Sequence, residues 1–143
     1  MRLVWSRRIG APAPRPGKPN CIAAAIYNGH SLFIAGDETK VRGVPHRGSI
    51  RRFIPATGQI KWQIGLPNGV IGSPTVDGAG VIALGTDGSS SVRNAVYLID
   101  AATGRKLRTL IRGSGYFAQP VFADGRLFTA SGSALIAWHL RRR

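Results

Sequence analysis

The side chains able to do acid–base, nucleophilic or metal chemistry are few. They are three histidines (His30, His46, His139), six carboxylates (Asp37, Glu38, Asp77, Asp87, Asp100, Asp124) and one cysteine, Cys21. The histidines lack the mutual spacing of metal ligands, and no cysteine pair supports them. A calcium site would need about six to eight oxygen ligands. Asp77, Asp100 and Asp124 sit at turns, which accounts for them, and this leaves Asp37, Glu38 and Asp87 in loops. No Gly-x-Ser-x-Gly elbow is present, since Gly88-Ser89-Ser90-Ser91 has loop composition. Gly85-Thr86-Asp87-Gly88 lacks the Lys-Ser/Thr ending of a phosphate loop. A single cysteine excludes an internal disulfide, and its place just before the apolar run Ile22–Ile26 reads as a small buried hydrophobe. The expectation is a chain that is not an enzyme, with no catalytic, metal-binding or cofactor-binding residue to assign.

Charge is the next signal. Twenty Lys+Arg face six Asp+Glu in 143 residues, a formal charge of +14. Such a surface attracts anionic partners, whether nucleic acid, lipid or acidic protein. The basic residues are spread along the chain, except at Arg7-Arg8, Arg51-Arg52 and Arg141–Arg143, so solvated faces account for most of them. The apolar fraction of 43% describes a folded chain. No apolar run reaches the roughly 20 residues of a membrane span, and Arg2–Arg8 interrupts its apolar residues too soon for a signal peptide.

What must position these residues is a repeat. Ala56-Thr57-Gly58 returns 46 residues later as Ala102-Thr103-Gly104, and Pro74 returns as Pro120 at the same offset. A period of roughly 40–50 residues indicates a propeller or a helical array. Short runs rich in Val, Ile, Phe and Tyr, broken by Gly, Asn, Asp and Pro, select strands. The predicted strands are 22–27, 31–35, 49–54, 60–66, 73–76, 80–84, 95–100, 106–111, 117–122, 126–130 and 134–140. Asn28-Gly29, Asp77-Gly78 and Asp124-Gly125 mark the first hairpin of each unit.

Four antiparallel strands per unit make a propeller blade. The expected fold is all-β, a partial propeller of about three blades. One blade spans 20–66, the next 70–112, and an incomplete one 116–140. A strand at 2–9, with Trp5 placed as Trp62 is, would complete the last blade, and Gly10–Asn20 is a Pro-rich connector. Propellers typically use about four to eight blades. Three cannot close a ring, so the reading favours a fragment or shortened copy, with self-association through open blade edges as the other route.

Val96-Tyr97-Leu98-Ile99-Asp100-Ala101-Ala102-Thr103-Gly104-Arg105-Lys106-Leu107, together with Gly72–Asp77, resembles the pyrroloquinoline-quinone-like propeller repeat. The resemblance extends from about Trp5 to Leu140. It implies blades tied by an Ala-x-Asp-x-x-Thr-Gly-Lys-x-x-Trp pattern. The second copy keeps Asp100, Thr103 and Gly104 but has Arg108 at the Trp position. The first keeps Thr57, Gly58 and Trp62 but has Ile54 at the Asp position.

The functional expectation is a non-catalytic scaffold binding a protein partner. It is similar to the envelope-associated members of that family that serve outer-membrane protein assembly, which is the only pointer to a cell-envelope location. The alternatives are a fragment of a quinone-dependent alcohol or sugar dehydrogenase, and a basic propeller that binds polyanions. The candidate binding loops are Asp37–Gly48 and Asp87–Asn94, carrying Arg42, Arg47, Asp87 and Arg93.

Overall fold

A computed structural model of the chain describes residues 1–7, 9, 23–70, 72–88, 91–111 and 119–139. The connector Gly10–Asn20, Cys21 and Arg141–Arg143 lie outside the described residues. The fold is all-β, in three antiparallel sheets. The first contains β1 (Ile26–Tyr27), β2 (Leu32–Val41), β3 (Val44–Phe53) and β4 (Ile60–Leu66). The second contains β5 (Thr75–Val76), β6 (Val81–Thr86), β7 (Ala95–Asp100) and β8 (Lys106–Leu110). The third contains β9 (Val121–Ala123), β10 (Arg126–Ser131) and β11 (Ala134–His139). Each strand pairs with its neighbour in sequence, the meander of a propeller blade. The chain is a partial propeller.

The sheets stack in chain order. Along β7, alternation sends Ala95, Tyr97 and Ile99 to one face, where they join Ile82 and Leu84 against Phe33, Ala35, Ile50 and Leu66 of the first sheet. Val96 and Leu98 go to the other face, where with Ala83 and Leu110 they pack on Leu127, Phe122 and Trp138 of the third. Residues 95–99 are therefore buried on both sides. Burying each such Leu or Ile contributes about 1.5–3 kcal/mol, so the middle sheet holds the outer two.

The 46-residue period recurs in hydrogen bonds. Gly58 N donates to Ile54 O at 2.8 Å, and Gly104 N to Asp100 O at 2.8 Å. Both sheets also skip a residue at the same step, with Arg52 opposite Trp62 and Phe53 opposite Ile60, then Leu98 opposite Arg108 and Ile99 opposite Lys106. The Trp62 indole donates to Ala101 O at 3.1 Å, crossing from the first sheet to the second corner. The Trp5 indole donates to Pro55 O at 2.7 Å, the matching carbonyl of the first corner. Asp100 adds what Ile54 cannot: its carboxylate accepts from Thr103 N and from the Thr103 hydroxyl at 2.8 and 2.9 Å. Pro74 and Pro120 are both buried, and the Gln119 amide beside the second donates to the Pro74 carbonyl.

Three expectations need correction. The run 2–9 does not complete the third sheet: its described residues form no strand, and that sheet has three strands among the described residues. Trp5 instead stacks on Phe53, with ring centroids 6.4 Å apart. An indole finds both an apolar ring and a free carbonyl there. Secondly, most of Asp37–Gly48 is strand, not loop. β2 and β3 run on to a two-residue turn, because Arg42 and Gly43, at φ 50° and 83°, supply the paired left-handed residues of a type I′ hairpin. Thirdly, of the Asx-Gly dipeptides only Asp124-Gly125 closes such a turn (φ 48° and 67°). Asn28 and Asp77 close longer loops by accepting backbone N–H groups on their side chains.

The Arg51-Arg52 pair is not a solvated charge cluster. Alternation sends the two to opposite faces. Arg51 is 4% exposed and donates to Gln63 Oε1, Ser49 Oγ, Thr39 Oγ1 and Lys40 O. Burial among uncharged partners lowers its pKa. Arg52 reaches Ser31 Oγ and, across to the second corner, Ala102 O, both at 2.8 Å.

Candidate functional site

The turn at Arg42-Gly43, the described ends of the 87–94 connection and the link at 67–70 share one end of the stack. β4 pairs with β3 only as far as Gly48, so residues 44–47 and their partners on β2 project beyond the sheet. Two open recesses flank this hairpin. One, of about 310 Å³, is lined by Glu38, Thr39, Lys40, Pro45, His46 and Arg47. The other, of about 600 Å³, runs from Val41, Arg42 and Val44 along Trp62, Gln63 and Ile64 to Thr103 of the next blade. His46 lines both, and it lies so close over Gly65 that a side chain there would collide with it.

The link at 67–70 is pinned from both sides. Burial raises the Asp37 pKa, with the charge of Glu38 adding to the rise and the backbone N–H groups of Glu38 and Val70 and the charge of Arg47 opposing it. A Cβ on Gly69 would meet Asp37 Oδ1 at 2.9 Å, so a side chain there would have to push the carboxylate aside. Asp87 N donates to Gly69 O at 2.8 Å, and the buried Asn68 amide donates to Arg93 O at 2.6 Å. The Tyr97 hydroxyl donates to Asn68 Oδ1 at 3.3 Å, and burial raises the Tyr97 pKa.

Of the sequence-predicted binding residues, Arg47, Asp87 and Arg93 thus surround one link, the last two through their backbones. Arg42 stands apart at the hairpin tip, beside the larger recess. Arg42, Arg47 and Arg93 are all exposed. The repeat residues Thr57, Gly58, Trp62, Asp100, Thr103 and Gly104 form the corners at the other end. Sequence reasoning missed Asn68 and His46 as elements of this face. The Asn68-Gly69 dipeptide was a readable turn signal; the placement of His46 over Gly65 had none.

A search against protein-family models and one against curated proteins find no match for this chain. Among solved structures it is similar to a europium-containing methanol dehydrogenase, at 19% identity and a TM-score of 0.46. That alignment covers 73% of this chain and 21% of the other, so the chain spans about a fifth of that protein's length.

Quinone and calcium would accompany the quinone-dependent dehydrogenase alternative, and the carboxylates among the described residues do not gather in threes as calcium ligands would. All six carboxylates fall among the described residues. Asp77 and Asp100 are engaged by turn N–H groups, and Asp37 is half-buried beside Gly69. Both recesses beside the hairpin carry cationic side chains, with Glu38 the one carboxylate between them. No three His, Cys, Asp or Glu cluster among the described residues. A hard divalent cation is best held by several converging carboxylate or carbonyl oxygens. The hairpin instead suits an anionic group with an apolar neighbour. Among the described residues, no helix is long and apolar enough to cross a membrane.

Proposed function

We propose that this chain is a non-catalytic propeller module that binds an acidic segment of a protein partner along the β2–β3 hairpin. The observation that carries this reading is the projecting hairpin itself. Lys40, Arg42 and Arg47 surround two recesses, and Val44 is exposed between them. Guanidinium forks match carboxylates bidentately, while an apolar contact adds affinity that salt does not screen. A rigid sheet carrying an exposed loop is the usual way a scaffold presents recognition groups. A cell-envelope setting belongs to the same reading, by resemblance to the envelope-associated members of the repeat family.

The test is fluorescence anisotropy with a labelled acidic peptide containing aromatic residues, set against a DNA oligomer of equal charge. Binding of the peptide that is lost in an Arg42→Ser/Arg47→Ser variant supports the proposal. Preferential DNA binding with a steep salt dependence would replace it with the polyanion reading. Dye reduction on adding pyrroloquinoline quinone, calcium and an alcohol would replace it with the dehydrogenase reading.

A further inference from the structure

The two ends of the described blade stack are complementary. At one end the third sheet has three strands, and the outer edge of β11 pairs with nothing among the described residues. Its outward face carries Val121 and Leu135, 51% and 75% exposed, with Phe128 between them. By register, Phe128, Ala137 and Leu135 occupy the positions at which the second sheet presents Ala83, Leu98 and Val96. Those three are buried against the third sheet, so the exposed face is built as a blade-to-blade face.

At the other end the N-terminal segment behaves as a fourth strand without a sheet. Trp5 meets the first corner as Trp62, on β4, meets the second. Four residues on, Ile9 O accepts from Thr39 Oγ1, so the segment runs from the corner toward the hairpin end, the direction β4 takes. Leu3 and Val4 beside it are more than three-quarters exposed. This segment lies on the first sheet, whereas β11 belongs to the third, with the second sheet between them. Docked there, its described residues do not meet β11 of their own chain.

We infer that the occupant of the β11 edge is the N-terminal segment of a second copy. Residues 2–9 of each chain add antiparallel to β11 of the other as the fourth strand of its third blade. Two copies of three blades then close a ring of six, inside the typical range of about four to eight. Edge addition satisfies the open N–H and C=O groups of β11, and closure removes the exposed edges. This assembly does not depend on the hairpin reading above.

The test is light scattering on the purified full chain at physiological salt, which screens repulsion between two chains of net charge +14. A discrete species of twice the chain mass is expected. Leu135→Arg, at a site already open to solvent, should convert it to monomer with an unchanged circular dichroism spectrum. In a Cys21→Ser background, mixing a Val4→Cys chain with an Ala137→Cys chain should give a disulfide-linked pair under mild oxidation. A monomeric wild type overturns the inference, and so does a polydisperse one. A dimer that survives Leu135→Arg and gives no mixed disulfide also overturns it, since two copies would then meet elsewhere.

Discussion

The Trp62 indole lies over Gly104, nearest at the fusion of its two rings. A Cβ on that glycine would sit 2.8 Å from Trp62 Cδ2, and its φ of 76° suits a residue without one. Gly104→Ala therefore combines left-handed strain with displacement of the indole. We expect it to destabilise the fold by about 2–3 kcal/mol in denaturant unfolding. In a Trp62→Ala background the same change should cost about 1 kcal/mol less, because the collision is gone. Equal costs in the two backgrounds would mean that the indole and the corner are not coupled.

Arg52 ties two blades with one guanidinium, bonding Ser31 Oγ through Nε and Ala102 O through Nη1. A lysine ammonium cannot reproduce that fork. Arg52→Lys is expected to lose about 1 kcal/mol, and Arg52→Ala about 1–2 kcal/mol. Thermal unfolding of the two variants, with Lys61→Ala on exposed surface as a control, measures the difference.

Arg51 presents the opposite case, a buried cation whose partners are all neutral. Removing the charge while keeping the volume relieves its desolvation. Arg51→Met should thus be close to neutral in stability, whereas Arg51→Ala should cost about 2 kcal/mol through lost packing. If methionine proves as costly as alanine, the hydrogen bonds to Ser49, Thr39 and Gln63 dominate instead.

Two carboxylates titrate in opposite senses. The backbone N–H of Thr103, and then its hydroxyl, hold the Asp100 pKa below the ordinary 3.8. Its contribution is present above the unfolded pKa and is lost as pH falls through the folded one. Burial raises the Asp37 pKa, so its contribution is present below the unfolded value and lost as pH rises through the folded one. At pH 7, Asp100→Asn should lower the melting temperature and Asp37→Asn should raise it. Both differences should shrink toward pH 3, and melting curves at the two pH values decide the matter.

Much of this fold was legible because strand pairing and tight turns depend on local chemistry. β-branched and aromatic runs marked β4 and β7 to the residue, and the repeated Ala-Thr-Gly marked both corners. The extension of β2 and β3 was hidden by composition, since 37–48 holds two glycines, a proline and five charged side chains. The Arg42-Gly43 turn was a fair signal for it. Arg51 was illegible for another reason: an arginine beside an arginine reads as surface, and only strand alternation separates their fates. At the candidate site, the shared face of the two loops followed from topology. The pinning of the link by Asp37 and Asn68 depends on long-range approach that spacing does not encode.

The indole of one blade and the corner it covers lie on different repeats, so a stretch one repeat long generally divides a joint rather than containing it. A duplication of 46 residues cut between an indole and its corner would inherit half of each of two joints and find a matching half on either side. Lineages built on such a unit gain or lose blades without inventing a new interface. Arg108, standing where that indole would be, marks a place in this chain where the interchangeability has been given up.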